Sequence, residues 1–381
     1  MVEPMNEVYK FSAPGRTEIA GNHTDHQNGC VLAAAVDLET TATVRLNNSN
    51  QICVYSEGYE PVKISLDCLC MRPEERNTTA ALVRGIAYVF AQKGAKLQGF
   101  DAEVISTVLP GSGLSSSAAF EVLMGTIMNE LFLDKALSPV EIAKIGQTAE
   151  NVYFGKPCGL MDQMASAVGG MVFIDFENPS DPEVVRLDVE LEEAGYSLCI
   201  IDSGADHADL TDEYASIPSE LRGVCRFFER SVLREISEED FYMALPILKK
   251  LCPDRALLRA MHVYNENKRV KKQFEALKEK NMDEFLKLVN ESGKSSWTML
   301  QNVSASGAVE HQELALALAI CEKTLNGKGA CRVHGGGFAG TIQAFVPVDM
   351  VHDFKKTMDS VLGEDSCKIL KINPCGGTRI E

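Results

Sequence analysis

Basic residues are scarce in this sequence. There are 37 lysines and arginines against 54 aspartates and glutamates, a formal net charge of −17 over 381 residues. A nucleic-acid binder needs clustered cations against the phosphates, so that class is excluded. The one dense basic run, KRVKK at 268–272, lies in a charge-rich helical stretch and reads as a solvated face. Long apolar runs are also missing. No stretch reaches the roughly 18 apolar residues that span a bilayer, and the opening MVEPMNEVYK has no apolar core of a secretory signal. The chain is expected to avoid nucleic acid and membrane and to work in the cytoplasm.

Cysteine is plentiful, with twelve residues, yet no CxxC pair faces a second pair or a paired histidine, and the closest two are Cys68 and Cys70. Cys199 in SLCIID and Cys321 in LALAICEKTL sit in apolar surroundings, where a thiol packs as a small hydrophobe. So many free thiols suit a reducing compartment.

Composition is that of a globular protein, with 45% hydrophobic and 24% charged residues, and the length exceeds what one core usually serves. FSAPGRTEIA, TTATVRL, QICVYS and FDAEVISTVL look extended. The spacing predicts helices over 77–94, with Leu82, Ile86, Val89 and Phe90 on one face, and over 117–132. A third helix opens at Ser138, where Pro139 and Glu141 make a capping box with a first-turn proline, and runs to Gly155 and Pro157. GMVFIDF and SLCIID read as buried strands separated by polar ENPSDPEV, which places a domain boundary near residue 180. Beyond it, helices are expected over 255–280, 282–292 and 306–326, followed by strands GTIQAFV and CKILKI.

Four segments carry chemistry. PGSGLSSSAAFEV, Pro110 to Val122, joins a strand candidate to a helix; its glycines allow close backbone approach, and helix N-termini favour anions such as a triphosphate. It is neither a Walker A loop nor a dinucleotide fingerprint, and it would also suit a plain Gly/Ser turn with a serine cap. HGGGFAG, His334 to Gly340, is a second glycine-rich turn, suited to a close ligand or to unusual dihedrals. Arg16, Glu18, Asn22, His23, Asp25 and His26 gather polar groups of the kind that bind sugar hydroxyls, or that simply bond one another. ENVYFGKPCGLMDQMAS supplies Glu150 and Asp162, suited to a hard cation and an acceptor hydroxyl, or to ordinary surface acids.

Together and in this order, APGR with HTD, GLSSSA, CGLMDQ and CRVHGGGFAG resemble the galactokinase branch of the GHMP kinases, and DHADLTDEY resembles a further sugar-contacting stretch. The resemblance implies an α+β fold of two lobes, the first like domain 2 of ribosomal protein S5 and the second a GHMP C-terminal lobe, with the active site in the cleft between them. Residues 1–180 would form the first lobe, with sugar site and phosphate loop, and 181–381 the second. It implies phosphorylation of a sugar by ATP with Mg²⁺ at the anomeric hydroxyl, galactose first. N-acetylgalactosamine or another small alcohol is an alternative acceptor, and a silent sensor of sugar and ATP an alternative role. Asp162 matches the aspartate facing the acceptor and Arg16 the arginine beside it. Asn22, His23, Asp25, Gly159 and Tyr214 match sugar-contacting positions. Gly111, Ser112, Gly113, Leu114, Ser115, Ser116, Ser117 and Ala118, with Gly335, Gly336 and Gly337, match nucleotide-binding ones. Glu150 and either Ser116 or Ser117 match the magnesium ligands.

The chain departs from the family motif GRVNLIGEHTDY, reading GRTEIAGNHTDH, so an amide and a carboxylate four positions apart have changed places and His26 replaces a tyrosine. The exchange predicts that Glu18 and Asn22 keep a mutual hydrogen bond and that Asn22 offers the sugar an amide where the family offers a carboxylate. Losing that charge-assisted bond would weaken sugar binding by about 1.5–3 kcal/mol.

Overall fold

The computed structural model describes residues 7–108, 113–205 and 210–381. They form two compact units: Met1–Thr17, Ala34–Met171 and Ile372–Glu381 in the first, Glu18–Ala33 and Val172–Lys371 in the second. The chain passes from the body of the first unit to the body of the second at Met171/Val172. The additional exchange at Glu18–Ala33 and at the C-terminus leaves no compositional mark, because it falls inside apolar strands and short turns.

In the first unit, β1 (Val8–Ala20), β2 (Cys30–Leu46), β3 (Gln51–Ser56), β4 (Val62–Ser65) and β5 (Phe100–Ser106) surround helix α1 (Thr79–Gln92) in the sequence. The sheet runs terminal strand Thr378–Arg379, β1, β2, β5, β3, β4. β3 and β5 are parallel, while β1 with the terminal strand, β2 with β5 and β3 with β4 are antiparallel. Three helices follow: α2 (Ser116–Phe132), α3 (Pro139–Thr148) and α4 (Met161–Val168). The expected capping box is present, Glu141 N–H donating to Ser138 Oγ at 3.3 Å and Ser138 N–H to Glu141 Oε2 at 2.9 Å. The helix expected to run on to Gly155 changes at Ala149 into a π-helical turn, Ala149–Phe154, closed by Gly155 at φ 88°. The C-terminal segment is stitched to the same unit, with Gly170 N–H bonded to Asn373 O at 2.7 Å and Gly377 N–H to Ser166 O at 3.1 Å.

The second unit carries β6 (Met171–Asp175), β7 (Glu183–Leu187), β8 (Tyr196–Asp202), α5 (Thr211–Phe227), α6 (Glu238–Leu251), α7 (Asp254–Lys278), α8 (Met282–Ser295), α9 (Glu313–Leu325), β9 (Ala330–Val333), β10 (Thr341–Pro347), α10 (Val351–Leu362) and β11 (Cys367–Leu370). β11, β8, β10 and β9 form a four-stranded antiparallel sheet. Cys199 and Cys321 are buried against it among Ile201, Leu318, Ile342 and Phe354. A second core joins α5, α6 and α7 through Ile217, Leu221, Phe241, Leu248 and Val263. α9 starts at Glu313 rather than 306, and β7 begins within the polar stretch ENPSDPEV. No helix among the described residues is long and apolar enough to cross a membrane.

Candidate active site

In the first unit, β1 brings Arg16 beside the first turn of α4, which carries Asp162. The guanidinium grips the carboxylate as a fork: Nε donates to Oδ1 at 2.6 Å and Nη2 to Oδ2 at 2.5 Å. Its third arm, Nη1, donates to Gly113 O at 2.6 Å, and Arg16 N–H donates to Leu114 O at 3.0 Å. Ser115 closes the set by donating its hydroxyl to Asp162 Oδ2 at 2.7 Å. A residue other than glycine pays a steric cost at φ 57°, where Ser115 stands, and its bond to Asp162 compensates. Among the described residues no side chain caps α2, so the N–H groups of Ser116, Ser117 and Ala118 open that helix without one. Gly111 and Ser112 lie outside the described residues.

Burial works against an ionised Asp162, but the Arg16 charge, its two hydrogen bonds and the Ser115 hydroxyl outweigh it and hold the pKa below the ordinary value of 3.8. A lowered folded pKa contributes stability above the unfolded value and loses it as pH falls through the folded one. Asp162 is therefore ionised across the neutral range. The kcat/KM profile of the intact protein is expected to show no acidic limb from Asp162 above about pH 4.5. Arg16→Ala should bring one into view, and a pH-rate series on both proteins measures it.

The π-helical turn carries Glu150 into the interior, leaving it 4% exposed. Its Oε2 accepts from Gln163 Nε2 at 2.9 Å, and Lys156 Nζ lies 3.6 Å from Oε1. The same Gln163 nitrogen donates to Glu121 Oε2 at 2.9 Å. Burial, and then the Glu150 charge, push the Glu121 carboxyl well above its usual range despite the Gln163 bond. Ser117 stands four residues before Glu121, on the same face of α2, which favours it over Ser116 as a partner of Glu150. Gly159 is exposed two residues before α4.

In the second unit, the turn after β1 meets the HGGG loop. Asn22 is 0% exposed and its amide is fully engaged: Nδ2 donates to Gly335 O at 2.5 Å and to Glu18 Oε1 at 3.4 Å, while Oδ1 accepts from Asn302 Nδ2 at 2.8 Å and Ser296 Oγ at 3.3 Å. The expected Glu18–Asn22 bond is present but long. Asn22 does not offer its amide outward; with all four hydrogen-bonding positions filled, it braces the loop. Glu18 bonds mainly to Arg332, whose Nη2 donates to Oε1 at 2.6 Å.

His23 continues the brace. Gly336 O can only accept, so His23 Nε2 carries the proton across their 3.0 Å contact. His23 Nδ1 then accepts from His26 Nε2 at 3.1 Å, and His26 Nδ1 accepts from Gln27 Nε2 at 3.1 Å. Gln27 Oε1 receives the Leu233 N–H at 3.0 Å, which fixes the amide orientation. Neutral rings are required, and burial lowers both histidines, His26 to about 3. Tyr214, 50% exposed, sets its ring 5.3 Å from that of His23, and a Cβ at Gly336 would come within 2.5 Å of it. Asp25 is half-buried beside His23. Gly335 and Gly337 take φ values of 64° and 79°. Asp206 to Asp209, in the weaker sequence match, lie outside the described residues.

Sequence reading missed Glu121, Gln163, Arg332 and Asn302. Two left a trace: Glu121 interrupts the apolar face of α2, and Arg332 is a lone charge in a buried strand.

Residues 81–170 match the GHMP kinases N terminal domain, and residues 4–46 the galactokinase galactose-binding signature. A galactokinase of Glaesserella parasuis is 32% identical over 350 residues, spanning 90% of this chain and 86% of that protein. One from Clostridium tetani is 30% identical over 356 residues, spanning 92% and 87%. The Lactococcus lactis galactokinase solved with galactose superimposes with a TM-score of 0.82 at 25% identity, over 99% of this chain and 96% of that one. A Methanococcus jannaschii mevalonate kinase shares the fold at a TM-score of 0.69 and 16% identity, over 97% and 99%. With its α+β fold, its Arg16–Asp162 fork and these relatives, the chain belongs to the galactokinase family of GHMP kinases.

Proposed function

We propose that this protein transfers the terminal phosphoryl group of ATP to the anomeric hydroxyl of galactose, giving galactose 1-phosphate in the cytoplasm. One observation carries the reading: the Arg16 fork on Asp162, tied by Ser115 and Gly113 to the start of α2. Phosphoryl transfer runs through a loose transition state that needs alignment and charge balance more than a strong base. Asp162, kept ionised, orients the sugar hydroxyl and takes its proton as the bond to phosphorus forms. Arg16 balances the charge on the equatorial oxygens. The uncapped first turn of α2 suits the phosphates. Asp25, His23, Tyr214 and Gly159 are the proposed sugar contacts. The galactose-binding signature over residues 4–46 and the galactose complex of the Lactococcus lactis relative support galactose as the acceptor. Twelve free cysteines support a reducing compartment.

The donor set fits Mg²⁺. Glu150 is a buried carboxylate with Lys156 Nζ 3.6 Å from Oε1, and Ser117 offers a hydroxyl from α2; both are hard oxygen donors. Held there, the cation would neutralise phosphate charge. A coupled ADP-release assay over a panel of sugars tests the whole reading. Galactose should give the highest kcat/KM. A tenfold preference for N-acetylgalactosamine would replace the acceptor, and sugar-dependent thermal shifts without ADP release would replace catalysis by sensing.

A further inference from the structure

We propose that Glu121 is a positioning residue for the cation site, fixing the Glu150 carboxylate through the amide of Gln163. The inference rests on the reading that Glu150 holds the cation. Glu121 is 0% exposed, in the second turn of α2, one turn beyond Ser117. One nitrogen, Gln163 Nε2, spends both protons on the two carboxyl groups, each at 2.9 Å. The other end of that amide has no hydrogen-bond partner among the described residues: Gln163 Oε1 is buried without one, as is Glu121 Oε1. The orientation of the amide therefore depends on the two carboxyl groups, with a longer contact from Nε2 to Cys158 Sγ at 3.7 Å beside them. If Glu121 is removed, the amide can rotate and turn Oε1 toward Glu150, replacing a donor by a repelling oxygen. Room for the arrangement is reserved by Gly146, where a Cβ would lie 3.2 Å from both Glu121 Cβ and Oε2.

Outer groups that orient metal ligands typically change metal affinity 10–100-fold when removed. The test measures ADP affinity of the full chain by calorimetry, once with Mg²⁺ and once with EDTA, and takes the ratio as the contribution of the metal. Glu121→Leu should lower that ratio about tenfold or more, and Glu121→Gln, which keeps an oxygen for the Gln163 N–H, should hold it within about threefold of the parent. Gln163→Leu breaks the same bridge from its other end and should match Glu121→Leu, which covers the case of one variant failing to fold. A purely structural role would lower the melting temperature and leave the ratio unchanged, and that result overturns the inference. Glu150→Gln separates the two levels. If it lowers the ratio while Glu121→Leu and Gln163→Leu do not, the positioning role alone falls; if it does not lower the ratio, the metal assignment falls and the inference with it.

Discussion

Asp162→Asn should reduce kcat by about 10²–10⁴-fold while leaving ATP affinity nearly unchanged. The amide is isosteric but keeps a single acceptor, so one arm of the Arg16 fork faces an N–H donor and that hydrogen bond is lost with the charge. On the proposed role, two things disappear together: the acceptor for the sugar hydroxyl proton and the anion that balances Arg16. A carboxylate in that role acts on the reacting hydroxyl, so the loss is expected in kcat rather than in nucleotide binding. Single-turnover kinetics and ADP titration separate these quantities. Turnover kept within about fivefold would move the proton acceptor elsewhere, since such a change is below what general-base loss produces.

The second large effect concerns stability. Arg332 is 0% exposed, its Nε and Nη1 have no partner among the described residues, and its charge is met by Glu18 at 2.6 Å. Glu18→Leu would leave that cation buried without its ion-pair partner. Breaking such a pair costs about 3–5 kcal/mol, a large share of the roughly 5–15 kcal/mol that holds a domain folded. The melting temperature should fall by roughly 10 °C or more. Arg332→Met added to Glu18→Leu should restore most of the loss, because a buried ion pair exchanged whole for apolar groups is often neutral. Denaturant unfolding of the two single variants and the double variant decides it. A Glu18→Leu protein within about 1 kcal/mol of the parent would mean that solvent or another group already compensates Arg332.

What the sequence disclosed was local. The capping box at Ser138, the apolar face of α2 and the order of the four motifs are written in neighbouring residues, so element and family were readable together. α5 and α6 were not, because Pro218 and Pro246 interrupt their patterns and read as breakers, although each helix absorbs its proline. The role of Asn22 was misread for a different reason. Its partners Ser296, Asn302 and Gly335 lie 274, 280 and 313 residues away, beyond any pattern of spacing. The amide/carboxylate exchange with Glu18 was visible; Arg332, which gives the exchange its meaning, was 314 positions distant.

The chain of contacts from the Leu233 amide through Gln27, His26 and His23 to the Gly336 carbonyl has a polarity. Each member gives a proton in one direction and takes one from the other, so no link can reverse alone without facing two donors or two acceptors. Two glycines of that loop take left-handed φ values that other residues avoid, yet the loop inherits the stiffness of two imidazoles. Whatever docks against Gly336 meets a surface set in advance, not one that must be assembled around it.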